Sequence, residues 1–131
     1  MNVVVDASVI IAVIAGEPER ETLIALTQEA DLIAPHSVHW EIGNAFSAML
    51  KRNRITLEQA LKAIEIYQTM PIRLFEVELN KALELAAQHS LYAYDAYLLQ
   101  CALKYQLPLI SLDKRLIEIA RQAKVEVLEV N

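Results

Sequence analysis

Cysteine is nearly missing from this sequence. Cys101 is the only one among 131 residues, so no intramolecular disulfide can brace the fold. That agrees with a reducing compartment, and a cytoplasmic location is expected. Glycine occurs twice, at Gly16 and Gly43, and proline four times, which excludes glycine-rich linkers and long flexible loops. No uncharged apolar run reaches the roughly 18 residues a membrane span needs. The N-terminal MNVVVDASVIIAVIAGEPE is apolar, but it has no basic lead and Asp6 interrupts it. It is read as neither a signal peptide nor a membrane segment.

Positive charge is also in short supply. The 12 Lys and Arg stand against 17 Asp and Glu, a formal net charge of −5. This balance argues against tight non-specific binding of nucleic acid, because that rests on neutralising phosphates with cations. A nuclease is not excluded, since each divalent ion held by carboxylates brings two positive charges to the site. No glycine-rich phosphate loop is present, which disfavours nucleotide-binding readings of that type. What the chain does have is apolar bulk: 55% hydrophobic against 22% charged residues, the composition of a folded domain with a sizeable core. Residues 1–131 are expected to form one domain. A chain this apolar is also expected to bury further surface as a homodimer.

Short β-branched or apolar runs alternate with helical periodicities. Strands are predicted at 2–5, 32–34, 72–75, 107–110 and 125–128. Helices are predicted at 7–14, 18–30, 37–52, from Thr56 onward, 78–89, 95–105 and 113–123, with Pro18 in the first turn of its helix. In the 37–52 helix, Val38, Ile42, Ala45, Phe46 and Met49 form the apolar stripe. Thr56 with Gln59 is a capping-box pattern, and Leu57, Ala60, Leu61 and Ile64 are the expected inner face of that helix. The helix opened by Asp95 is apolar nearly all round and should be well buried. Such alternation indicates an α/β fold, a three-layer α/β/α domain with a short, mainly parallel central sheet.

In open parallel sheets, ligands bind beyond the carboxyl ends of the strands. Asp6 follows the first strand directly, and Asp113 follows the 107–110 strand after Ser111 and Leu112. Glu41 lies one turn into the helix after the second strand, about 60° from Val38, beside the apolar stripe. Asp95 begins the buried helix. Each acid alone has an ordinary explanation: helix N-caps for Asp6, Asp95 and Asp113, a solvated helix residue for Glu41. Together they can converge on one end of the sheet. Four ionised carboxylates in one pocket repel, so such a cluster needs a cation or must take up protons. Oxygen donors without histidine or cysteine suit Mg²⁺ or Mn²⁺. Such an ion activates water for phosphodiester hydrolysis.

Four segments resemble one known family. Val4-Val5-Asp6-Ala7-Ser8-Val9-Ile10 resembles the opening of PIN domains, and PHSVHWEIGN (35–44) the segment with their helical Glu and nearby Asn. Tyr94-Asp95-Ala96-Tyr97-Leu98 is similar to the YDA-Y segment of the VapC branch. Leu109-Ile110-Ser111-Leu112-Asp113 is similar to the family's strand followed by Thr/Ser-x-Asp, with Ser111 where Thr is common. The resemblance implies that Asp6, Glu41, Asp95 and Asp113 are the catalytic and metal-binding acids, supported through hydrogen bonds by Ser8, Asn44 and Ser111. It implies a Mg²⁺- or Mn²⁺-dependent endoribonuclease, the toxin of a VapBC-type pair, with RNA as substrate, a small VapB-like antitoxin as protein partner, and a homodimeric state. A housekeeping PIN nuclease of RNA processing and a PIN-like scaffold that cuts nothing are the alternatives.

Other residues have competing roles. Lys114 and Arg115 adjoin Asp113 and can contact RNA phosphates, whereas Lys51, Arg52 and Arg54 suit a helix C-terminus. His36 and His39 offer too few histidines for a metal site of their own. Tyr92, Tyr94 and Tyr97 can stack on bases, but core or interface packing is the expectation. Cys101 is read as a small core residue. Asp6 after the first strand also suits an aspartyl-nucleophile phosphatase, but those enzymes carry a second Asp two residues on, where this chain has Ser8.

Overall fold

The β-branched run Val3-Val4-Val5 becomes an interior strand. In the computed structural model, which describes residues 1–130, β1 (Asn2–Val5) pairs in parallel with β2 (Asp31–Pro35) on one side and β4 (Leu109–Ile110) on the other. β3 (Ile72–Phe75) adds a fourth parallel strand outside β2, giving the order β3-β2-β1-β4. Asn131, the last residue of the expected domain range, lies outside the described residues.

Strand alternation sends side chains to both faces of this sheet, and helices cover both. Val3, Val5, Ala34 and Ile110 enter one core with α1 (Ala7–Ala15), α2 (Arg20–Thr27), α3 (Ser37–Lys51) and α4 (Leu57–Thr69). Val4, Ile33 and Leu109 enter a second core with α6 (Ala93–Tyr105) and α7 (Lys114–Gln122), and α5 (Leu79–His89) packs along α6. The result is the expected three-layer α/β/α arrangement around a parallel sheet. As expected, α6 is largely buried, with Leu98, Leu99, Cys101 and Ala102 inside. Among the described residues no helix is long and apolar enough to cross a membrane.

Several local expectations are corrected. α2 starts at Arg20, because Pro18 and Glu19 are spent on the turn that follows Gly16, the left-handed cap of α1. α6 starts two residues before Asp95, so Asp95 is a first-turn residue and the N-cap is Tyr92. Residues 125–128 make only a single bridge, Leu109 to Val127, beside a two-residue β4 too short to support a longer ladder. Leu107 and Pro108 only lead into β4, although the Pro108 carbonyl still accepts from the Val4 amide at 2.9 Å.

The inner face of α4 is also rotated from the expected one. Ala60 and Tyr67 are buried with Ala63 and Ile64 packed beside them, while Leu57 and Leu61 are exposed. The helix carries two overlapping apolar stripes, and α1 and α3 select the one whose small alanines permit close approach. The capping box at its start is present: Gln59 N donates to Thr56 Oγ1 at 3.1 Å and Thr56 N to Gln59 Oε1 at 3.0 Å. Thr56→Ala is therefore expected to destabilise the fold by about 1 kcal/mol in urea denaturation. An unchanged midpoint would show that the cap carries no net stability.

Candidate functional site

The strand order reverses beside β1. From β1 the chain builds outward through β2 and β3, then returns to the other side of β1 for β4. The carboxyl ends of β1 and β4 therefore flank the crevice in which α/β sheets bind ligands. Asp6 and the segment Ser111–Asp113 stand there.

Asp6 is the most enclosed of the acids, 6% exposed, and its carboxylate fastens the two strand ends together. The Ser8 hydroxyl donates to Oδ1 at 2.6 Å and the Val9 amide to the same oxygen at 3.2 Å. The Ser111 hydroxyl donates to Oδ2 at 2.5 Å. Both serines act twice. Ser8 Oγ accepts from the Leu112 amide at 3.1 Å, and Ser111 Oγ accepts from the Asp113 amide at 3.0 Å. The two hydroxyls thus tie Asp6 to the backbone that leads into α7. Burial nevertheless pushes the Asp6 carboxyl above the usual range; the hydrogen bonds from Ser111, Ser8 and Val9 oppose that rise, and Asp113 adds to it by repulsion.

Asp113 caps α7, accepting from the Arg115 and Leu116 amides at 3.0 and 3.2 Å through Oδ1. Asp6 likewise caps α1. The ordinary reading of both as N-caps is therefore correct as far as it goes. A cap uses part of a carboxylate, and each oxygen has roughly two lone-pair directions. Asp6 Oδ2 and Asp113 Oδ2 retain acceptor capacity.

Glu41 is half-buried on α3 and its carboxyl is pushed up to about 7, first by burial, then by repulsion from Asp6, Asp95 and Asp113. Asp95 is half-buried in the first turn of α6 and is also raised, by burial and then by Asp113 and Asp6, with Arg115 acting in the opposite direction. The four acids thus lie within electrostatic reach of one another, although they come from the start of α1, from α3, from α6 and from the start of α7. Among the described residues, no three His, Cys, Asp or Glu side chains form a ready-made metal cage as placed. The donor chemistry still fits a hard divalent ion. All four groups are oxygen donors, they repel one another, and no histidine or thiol is among them. Cys101 is buried in the core beneath α6 and α7 with its thiol pushed up to about 12 by burial, unsuited to ligation.

The supporting residues divide. Ser8 and Ser111 make the bonds just described, whereas Asn44 is exposed on α3 and makes no hydrogen bond among the described residues. Arg115 is exposed, and its guanidinium donates to the Ser90 carbonyl at 2.9 Å, which holds it near Asp95. Lys114 is exposed at the start of α7. His39 meets the Tyr67 hydroxyl through Nδ1 at 3.3 Å, and His36 is exposed. Sequence reasoning missed the Ser8 bond to the Leu112 amide, because no spacing rule links a serine to a backbone amide 104 residues away. It also missed Gln100, buried in α6, whose Oε1 accepts from the Glu78 amide at 3.0 Å ahead of α5.

Ser111→Ala would leave Asp6 Oδ2 and the Asp113 amide without this partner at a 1% exposed position. A loss of about 2 kcal/mol is expected in urea denaturation at pH 7. No loss would mean that water or a shifted backbone replaces the hydroxyl.

A family model described as PIN domain matches residues 3–122. No curated protein sequence matches the chain significantly. Among solved structures the chain is similar to PAE2754 from Pyrobaculum aerophilum, with a TM-score of 0.73 and 22% identity over 97% of this chain and 83% of that one. It is also similar to VapBC2 from Rickettsia felis, solved bound to a DNA fragment from their promoter, with a TM-score of 0.71 and 13% identity over 100% of both chains. A third is the Mycobacterium tuberculosis toxin VapC20, described as sarcin–ricin loop cleaving, with a TM-score of 0.64 and 16% identity over 88% of this chain and 93% of that one. At these identities the likeness is one of fold.

Proposed function

Because the chain belongs to the PIN domain family, whose model spans residues 3–122, we propose that it is a metal-dependent endoribonuclease and the toxin of a VapBC-type toxin–antitoxin pair. The observation that carries this reading is the mutual influence of four carboxylates at the switch point of the sheet. Carboxylates that repel one another, one of them buried and two partly so, are costly to a fold unless a cation or a proton resolves them.

Asp6, Glu41, Asp95 and Asp113 would hold Mg²⁺ or Mn²⁺. The bound ion would supply an activated water and neutralise charge on the phosphoryl group under attack. The chain's own part is positioning. Ser8 and Ser111 fix both oxygens of Asp6, so one acid is already oriented. Arg115, tethered at Ser90, and Lys114 beside it supply cations for an RNA phosphate next to the acids.

The toxin assignment draws on the VapBC2 and VapC20 structures, which share the fold across most of their length. A VapB-like antitoxin is the protein partner and a homodimer the assembly that this reading carries with it. The direct test is incubation of the purified chain with a panel of structured RNAs in Mg²⁺, in Mn²⁺ and in EDTA. Cleavage with either metal and none in EDTA is expected. A folded protein that cuts no RNA under any of these conditions would sink the reading, and a monomer by light scattering at micromolar concentration would remove the dimer from it.

A further inference from the structure

Arg115 engages the fold at both ends of its length. Its backbone amide donates to Asp113 Oδ1 at 3.0 Å, and its guanidinium Nη2 donates to the Ser90 carbonyl at 2.9 Å. Lys114, one residue earlier, is exposed, and its side chain makes no hydrogen bond or ion pair among the described residues. Contact with an RNA phosphate would need only a charge, which either residue has. The bond to Ser90 is particular to Arg115.

That carbonyl belongs to the junction that sets where Asp95 stands. α5 ends at His89, and Ser90 turns the chain in the left-handed region, at φ 55°. The Ser90 and Leu91 amides both bond back to the Ala86 carbonyl, so this turn is closed toward α5. Only Leu91 and Tyr92 then separate it from α6, whose first turn carries Asp95. Leu91 packs against the core under α6. Tyr92 is exposed, not packed in a core or interface as expected, and its side chain caps nothing. Among the described residues, the Arg115 bond is the one hydrogen bond from residues 90–92 to an element other than α5 and α6. A cation suits this place, because the last carbonyls of α5 carry the negative end of its dipole.

The bond also completes a path across the site. Ser111 joins Asp6 to the Asp113 amide, Asp113 accepts from the Arg115 amide, and the Arg115 side chain reaches the turn before Asp95. We infer that Arg115 is a positioning residue, which acts through the Ser90 carbonyl to hold Asp95 in place with Asp6 and Asp113 for a shared divalent ion. The inference rests on the metal-dependent reading. The guanidinium charge works in the same direction, favouring the ionised form of Asp95 against burial and against repulsion from Asp113 and Asp6. Groups that orient metal ligands in this way commonly carry roughly a ten- to hundredfold share of metal affinity.

Charge and clamp predict opposite signs, so the test needs no RNA. A cation beside the site repels a divalent ion, and removing its charge alone would tighten metal binding. Removing the clamp would weaken it. Mn²⁺ titration by calorimetry at pH 8, where protons compete least, is expected to show Arg115→Ala binding about tenfold more weakly than wild type. Arg115→Lys can still donate to the Ser90 carbonyl and is expected to stay within about threefold. Lys114→Ala removes an equal charge and is expected to bind Mn²⁺ no more weakly than wild type. Thermal melts in EDTA check that each variant is folded. In the same metal-free state, the Leu91 and Ala96 amides, which close the turn and open the hydrogen bonding of α6, should exchange faster in Arg115→Ala. Equal or tighter Mn²⁺ binding by Arg115→Ala would overturn the inference, as would unmoved exchange at those amides. So would equal weakening in Lys114→Ala, because a residue without the clamp would then do the same. A wild-type protein that binds no Mn²⁺ would overturn the metal-dependent reading and this inference with it. Mn²⁺ binding that depends on Arg115, without RNA cleavage, would instead overturn the nuclease reading alone.

Discussion

Asp6→Asn is expected to lower RNA cleavage roughly a thousandfold, the scale on which one preorganised charged group acts at a reacting centre, while leaving the protein at least as stable as wild type. The second half distinguishes this prediction from ordinary damage. An asparagine oxygen in the place of Oδ1 can still accept from the Ser8 hydroxyl and the Val9 amide, and the amide nitrogen would face Ser111, whose oxygen can accept as well as donate. Removing the charge also relieves the burial penalty at Asp6 and its repulsion of Glu41, Asp95 and Asp113. Inactive and more stable is a combination that misfolding cannot produce, and it follows from an active site held against the preference of the fold. Initial cleavage rates with thermal melts on the same preparations check both halves. Wild-type rates in Asp6→Asn would remove this carboxylate from the mechanism.

The metal-free protein is expected to lose stability as pH rises from 5 to 8, by about 2 kcal/mol from Glu41 alone once screening by the solvent that reaches this half-buried carboxyl is allowed for. The sign follows from the proton inventory. Folding weakens Glu41 as an acid, from 4.5 to about 7. Between those values the unfolded chain has released a proton that the folded chain still holds, so raising the pH favours unfolding. The stability contributed by the protonated group is fully present below pH 4.5 and is lost as pH passes about 7. Asp6 and Asp95, also raised, contribute a change of the same sign that begins above their ordinary value of 3.8. Urea denaturation in EDTA at pH 5, 6, 7 and 8 measures it. Glu41→Gln should flatten the slope and be more stable than wild type at pH 8, and millimolar Mg²⁺ should do the same to the wild type by binding the ionised acids. Parallel pH profiles for wild type and Glu41→Gln would mean that water reaches this carboxylate and the acids do not act on one another.

Much of the architecture was legible because it rests on local rules. Val3-Val4-Val5 can hardly be anything but a strand buried on both faces, the capping box of Thr56 and Gln59 marks the start of α4 unaided, and the apolar surround of α6 announces a buried helix. Failures fell where a local pattern had two solutions. Leu57 and Leu61 read as core by periodicity, but the stripe that packs is the one shared with Ala63 and Tyr67, a choice made by α1 and α3. Residues 125–128 have strand composition yet make one bridge, because their neighbour β4 has only two residues to pair with.

The candidate site divides in the same way. Sequence alone determined which residues are the candidates for the chemistry: acids after the first and fourth of these strands, an acid one turn into α3 and another at the start of α6, with serines two residues from Asp6 and Asp113. Sequence spacing carries no distance between segments a hundred residues apart. Only the tertiary structure decided that Ser111 and Ser8 lock Asp6 to the start of α7, that Asn44 stays apart from that network, and that Glu41 becomes a weak acid. Hydrogen bonds across a sheet, burial and repulsion between charges depend on how elements pack, and packing is settled by all of the elements together.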